Sequence, residues 1–93
     1  MDFKQLQYFL GTAKTLNMSK AALELGVAQP ALSRQIKDLE NQIGRDLFIR
    51  HPRGLLLTEE GKQFQQDSET ILHLFESAVQ KVRDANASRA KTP

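Results

Sequence analysis

A chain of 93 residues carrying a net charge of +2 has room for one small domain and one further element, with a modest core. It contains no cysteine, which excludes a disulfide framework and any thiolate metal site and suits a reducing cytoplasm, and two histidines alone make no metal centre. No apolar run reaches the length of a membrane span, and the N-terminal MDFKQLQYF is too charged and too poor in apolar residues for a secretory signal.

The charge is unevenly spread. Residues 1–57 hold eight Lys and Arg against five Asp and Glu, a balance of +3. Residues 58–86 hold three against six, a balance of −3, and the last seven residues add +2. A basic front followed by an acidic stretch points to an anion met by the first part only.

Phe3, Leu6, Phe9, Leu10 and Ala13 recur at helical spacing, which predicts an amphipathic helix over 3–15 whose stripe belongs to the core. Asn17 or Ser19 can cap a second, short helix, in which Ala21, Ala22 and Leu25 offer a narrow face before Gly26 stops it. Val27 and Ala28 then lead into QPALSRQIKDLENQIG, residues 29–44. Here Leu32, Ile36, Leu39 and Ile43 make one stripe, and Gln29, Pro30, Ser33, Arg34 and Lys37 lie on the other side. Pro30 suits a first turn, where its missing N–H costs nothing, and Gly44 suits the left-handed position past the end.

A short helix, a glycine-bearing turn and a second amphipathic helix form a helix-turn-helix pattern. Ala22 leaves room for the crossing helix, Gly26 supplies the positive φ of the turn, and Leu32 with Ile36 anchors the second helix on the first. Such a pair reads nucleic acid in some proteins and is only a packing corner in others.

Two strand-like runs follow, residues 47–50 and 55–57, on either side of HPRG, and predict a small β-hairpin with Arg50, His51 and Arg53 at its tip. Beside a helix pair this hairpin makes a winged helix-turn-helix, whose basic tip can touch a phosphate backbone or enter a minor groove. Arg53 is the better minor-groove candidate, because a narrow groove attracts guanidinium and Gly54 relieves crowding beside it. The plain alternative is a solvated turn with two unemployed arginines.

Thr58 can cap a last helix, with Glu59 and Glu60 in the first turn, where the helix dipole favours them. On a heptad, Phe64, Ile71, Ala78 and Ala85 share one position and Ser68, Phe75 and Val82 the other, while Leu72 and Val79 widen the stripe. This seam has one polar flaw, Ser68. A helix of about 28 residues spans roughly 40 Å, more than the front domain can cover, so the distal half is expected to pair with a second copy of the chain. The tail ASRAKTP has no periodicity and reads as a linker or the point where a longer protein was cut. The expected organisation is mainly α: a winged helix-turn-helix of three helices plus a short β-hairpin wing over 1–57, a long linker and dimerisation helix over 58–86, and a hinge or tail over 87–93.

Two segments, FKQLQYFLGTAKTLNMSKAALELGVAQPALSRQIKDLENQIGRDLFIR and RGLLLTEEGKQF, cover most of residues 3–64, and through them the chain resembles the N-terminal DNA-binding domain and linker helix of a LysR-type transcriptional regulator. The resemblance implies a cytoplasmic, nucleoid-associated bacterial protein that binds double-stranded DNA as a homodimer, with a tetramer possible in a full-length protein. It also implies a small-molecule inducer acting only through an effector domain that this sequence does not contain. Carried over to this sequence, it assigns base reading in the major groove to Gln29, Pro30, Ala31, Ser33 and Arg34. Arg34 suits guanine, Gln29 suits adenine, and Pro30 and Ala31 can touch a thymine methyl. Ser19, Lys20, Lys37, Arg50 and His51 become backbone contacts, which position without specifying, and Arg53 the minor-groove residue of the wing. Phe64, Ile71, Leu72, Phe75, Ala78, Val79 and Val82 become the dimer interface.

A protein-interaction module, in which the long helix does the binding and the helix pair only packs, is the alternative from another class. Catalysis is not expected: neither Ser19 nor Ser33 has a histidine or lysine arrangement that its spacing supports, the acidic residues lie mainly on the last helix, and there is no glycine-rich phosphate loop. No catalytic residue, metal ligand or cofactor is assigned.

Overall fold

The computed structural model describes the backbone of residues 1–91 and the side chains of residues 1–85. Three helices come first: α1 (Phe3–Thr15), α2 (Met18–Leu25) and α3 (Gln29–Ile43). An antiparallel hairpin of β1 (Phe48–His51) and β2 (Gly54–Leu57) follows, and then one long helix, α4 (Glu59–Lys91).

Each helix begins and ends where local chemistry allows. The Asp2 side chain accepts from the Gln5 backbone N–H at 2.8 Å and caps α1. Asn17, rather than Ser19, caps α2 by accepting from Lys20 N at 2.9 Å. α3 has no side-chain cap and opens with proline in its first turn instead. Thr58 Oγ1 caps α4 by accepting from Gly61 N at 2.9 Å, and donates to the Asp46 carbonyl at 2.7 Å. Gly26 and Gly44 close α2 and α3 in the left-handed conformation, at φ of 70° and 82°. α1 closes on a non-glycine residue: Leu16 takes φ 53°, its N–H bonds Thr12 O at 2.8 Å, and its own carbonyl accepts from Leu55 N at 3.1 Å. The end of the first helix is thereby tied to the hairpin.

The core forms where α1, α2 and α3 meet the hairpin. Phe9, Ala21, Leu32, Leu39 and Leu47 are almost wholly removed from solvent, and Phe48 and Leu55 bring the hairpin into the same cluster. Phe9 stands at its centre, with ring centroids 5.4 Å from Phe48 and 4.9 Å from Phe64. Burying one such ring stabilises the fold by about 1.5–3 kcal/mol.

Three expectations are corrected. Phe64, assigned to the dimer interface, is half-buried against Phe9 and belongs to the core of its own chain. Ser68, the polar flaw of the seam, is 0% exposed, between Phe64 one turn before and Leu72 one turn after, on the face that meets α1. Heptad position tells which residues share a face, and here the first three turns of that face are covered by α1. Ile43, the last member of the α3 stripe, is 37% exposed, and Glu40 takes the buried place instead. In addition, α4 continues through residues 87–91, which were expected to be linker. Apolar periodicity reports a buried face rather than helicity, and Ala87, Arg89, Ala90 and Lys91 are all strong helix formers. Thr92 and Pro93, the end of the expected tail, lie outside the described residues.

The molecule measures 62 × 25 × 20 Å. Its long axis reflects α4, whose 33 residues correspond to roughly 50 Å of helix. No helix among the described residues is long and apolar enough to cross a membrane.

Candidate nucleic-acid interface

The geometry of α3 separates its residues cleanly. Leu32, Ile36 and Leu39 are buried, while Gln29, Pro30, Ala31, Arg34 and Lys37 are exposed and Ser33 is half-buried at the boundary. A helix anchored by one stripe thus presents its first two turns outward. Its orientation is held from two sides. The buried Gln5 of α1 donates through Nε2 to Gln35 Oε1 at 3.0 Å and accepts from Gln42 Nε2 at 3.4 Å. At the far end the Glu40 carboxylate, itself buried, accepts from the backbone N–H groups of Leu47 (2.7 Å) and Phe48 (3.1 Å).

The second bond pair fastens the wing to α3. Without it two backbone donors at the start of β1 would be buried with no acceptor, a cost of about 1–3 kcal/mol each. Periodicity alone could not reveal Glu40, because a glutamate flanked by a leucine and an asparagine on an amphipathic helix looks like one more solvated side chain. The paired glutamines were likewise invisible.

The hairpin registers Phe48 against Leu57, Ile49 against Leu56, Arg50 against Leu55 and His51 against Gly54, leaving Pro52 and Arg53 as the exposed turn. His51 Nδ1 accepts from Arg53 N at 3.1 Å and folds that turn. Gly54 adopts φ +135°, and a Cβ there would stand 2.9 Å from the Leu16 carbonyl, so the wing reaches the end of α1 only because this residue lacks a side chain. The relief of crowding expected at Gly54 is therefore toward α1. Arg50 does not point away: its Nη2 donates to Ser33 Oγ of α3 at 3.1 Å. A cleft between the start of α2 and the wing is lined by Asn17, Ser19, Arg50, His51 and Arg53. Ser19 Oγ in turn donates to Gln29 Oε1 at 2.8 Å.

Residues 10 and 17 positions apart in sequence thus bring α2, α3 and the wing onto one polar face. Its cations are Lys20, Arg34, Lys37, Arg50 and Arg53, all exposed. The one ion pair among the described residues lies elsewhere, between Lys62 Nζ and Glu59 at 3.3 Å. Among the described residues none of these cationic groups is paired with a carboxylate.

The family model described as "Bacterial regulatory helix-turn-helix protein, lysR family" matches residues 3–62. The chain belongs to the LysR family. Among curated LysR-type relatives, the transcriptional regulator BudR of Klebsiella aerogenes is 43% identical over 83 residues, 89% of this chain and 58% of BudR. XapR of Escherichia coli K12 is 48% identical over 71 residues, 76% of this chain and 24% of XapR. The chain therefore spans between about a quarter and three fifths of the relatives it matches, and these are named as transcriptional regulators rather than enzymes.

Two solved structures of LysR-type DNA-binding domains share the fold in complexes with DNA. The CbnR domain–DNA complex superimposes with a TM-score of 0.87 at 40% identity, covering 92% of this chain and 99% of that one. The BenM domain bound to catB site 1 DNA gives 0.91 at 32% identity, covering 96% of each chain. The winged helix-turn-helix with a long following helix is thus the LysR-type DNA-binding fold, as expected.

Along its length α4 leaves the body formed by α1, α2, α3 and the hairpin. Phe75 still touches it, its ring 4.6 Å from that of Phe3, yet it is 53% exposed. Leu72 lines a groove with Leu10 and Gly11 of α1. Beyond, Phe75, Ala78, Val79 and Val82 line an apolar hollow, and Ile71 and Leu74 are exposed on the same length of helix. Leu74 was not among the expected interface residues, although its spacing of four from Ala78 and eight from Val82 places it beside them.

Proposed function

We propose that this chain binds double-stranded DNA in a sequence-specific manner as the reading head of a LysR-type transcriptional regulator, and that it does so as a homodimer. The observation that carries the reading is the single polar face on which the exposed start of α3, the first turn of α2 and the Arg50 side of the wing are joined by hydrogen bonds. α3 fits a major groove, with Arg34 able to bond guanine O6 and N7 bidentately and Pro30 and Ala31 able to contact a thymine methyl. Lys20 and Lys37 lie on the flanks of the face as phosphate contacts. His51 reaches the backbone through Nε2, since Nδ1 is occupied by the turn, and Arg53 at the exposed tip suits the minor groove. The shared fold with the DNA-bound CbnR and BenM domains supports this placement.

The second copy docks through Ile71, Leu74, Phe75, Ala78, Val79 and Val82, because the head covers α4 only as far as Phe75 and an apolar stretch of this length needs a partner. Two heads then read two half-sites, and the protein acts in the cytoplasm on the nucleoid.

Titration of the chain onto duplexes recovered from a random DNA pool tests the reading. Recovered sequences should share a motif, and affinity for them should fall steeply with rising salt as counterions cease to be released. A pool that yields no enriched motif overturns it.

A further inference from the structure

Two hydrogen bonds on the polar face constrain what its side chains offer to a ligand. A carboxamide has one acceptor oxygen and one donating NH2 group. The Gln29 oxygen is turned back toward α2, where Ser19 Oγ donates to it at 2.8 Å, so the NH2 group is the end presented outward. Ser33 is constrained less. A guanidinium has no acceptor, so Ser33 Oγ accepts from Arg50 Nη2 at 3.1 Å, and it retains its O–H and one lone pair for a ligand. Arg34 donates only, and Pro30 and Ala31 carry no polar side-chain atom.

We propose that Ser19 is a positioning residue that holds Gln29 donor-outward, so that Gln29 bonds guanine and thymine edges and does not bond exocyclic amines. This rests on the DNA-binding reading above. In the major groove guanine offers N7 and O6 as acceptors, and thymine offers O4 beside a methyl that Pro30 or Ala31 can touch. Cytosine offers only its N4 amine, a donor set against donors. Adenine couples N7 to an amine whose best partner would be the amide oxygen that Ser19 withholds. Both bonds are exposed in the unbound chain and strengthen once a docked groove excludes water. The preference of Gln29 therefore moves from adenine to guanine and thymine, and Ser19 moves from a phosphate contact to the residue that sets this preference.

The test uses the full chain on its selected duplex. Gln29→Ala identifies the base pair that Gln29 reads. At that pair, removing the bonded acceptor (N7 with 7-deazaguanine or O6 with 2-aminopurine for guanine, O4 with 5-methyl-2-pyrimidinone for thymine) should weaken binding about fivefold, the worth of one hydrogen bond. Deleting the exocyclic amine of either base should leave affinity unchanged. Ser19→Ala should cut discrimination against the swapped base pair about fivefold at this position alone, Ser19→Thr should restore it, and Ser19→Ala in a Gln29→Ala background should add nothing. Asn17 caps α2, so none of these variants removes a cap, and circular dichroism melting verifies the fold. Sensitivity to amine deletion, an unchanged profile in Ser19→Ala, or a uniform loss with a shallower salt dependence would each overturn the proposal while leaving DNA reading intact. A wild-type chain that selects no sequence would overturn both.

Discussion

Arg34 and Lys37 are neighbours on α3, one turn apart and both exposed, yet they differ in what a loss should do. A guanidinium makes two parallel bonds to one base, whereas an ammonium is a point charge that any phosphate satisfies. Arg34→Ala is expected to cost about 1–3 kcal/mol on the selected site and to flatten base preference at one position. Lys37→Ala should weaken selected and random duplexes alike and reduce the slope of log affinity against log salt by about 0.9. Parallel titrations at several salt concentrations distinguish the two, and identical losses would remove the division between reading and positioning. Glu40 acts on the fold instead. Replacing it with alanine leaves the buried N–H groups of Leu47 and Phe48 without an acceptor, so urea unfolding should lose about 2–6 kcal/mol, while Glu40→Gln, which keeps an acceptor oxygen, should lose less.

The joints between elements depend on what is missing as much as on what is present. Gly61, in the first turn of α4, lies so close to the Leu47 carbonyl that a Cβ there would overlap it. Gly61→Ala must therefore push α4 off the start of β1, and the expected loss is about 1–3 kcal/mol in chemical denaturation, against the small gain alanine brings to an exposed helix. A variant as stable as the wild type would mean that the helix shifts at no cost.

The elements themselves were legible in the sequence to a large degree. Spacing found all four helices and the hairpin, because amphipathic periods and the caps Thr58, Gly26 and Gly44 are local signals. The joints were not. Gly61 sits in the helical EEGKQF run with no turn around it, and Glu40 and Gln5 make bonds whose partners lie 7 to 37 residues away. Long-range pairing of polar groups leaves no periodic trace in a single sequence. The exposed side of α3 was legible because its stripe of leucine and isoleucine fixes which side faces out. The hold of Ser19 on Gln29 and of Arg50 on Ser33 needed the crossing of α2, α3 and the wing in three dimensions.

At the level of the whole chain, the same limitation explains the boundary along α4 between the covered and the exposed parts of its apolar stripe. The heptad pattern runs from Phe64 to Ala85 with Ser68 as its one polar position, but α1 covers its first part, through Phe64, Ser68 and Leu72, and leaves Ile71, Leu74, Phe75 and Val82 between 50% and 62% exposed. Phe75 stands at the border, its ring tilted against Phe3 of its own chain while facing solvent on the other side. A charge at Phe75 would disturb both the head and the pairing helix, so it is a poor probe of either. Val82 is two turns further on and 61% exposed, beyond the contact with α1. Val82→Glu should therefore leave the head folded, with an unchanged hairpin and core, and shift the chain from dimer to monomer in sedimentation equilibrium, because a carboxylate cannot be buried unpaired in an apolar seam. On a duplex with two half-sites the monomer loses the gain from having its second head already tethered, and affinity should fall on the order of a hundredfold or more, while affinity for a single half-site stays the same. Unchanged sedimentation would place the pairing surface off α4. A monomer that still bound the double site as tightly as the wild type would show that each head binds on its own.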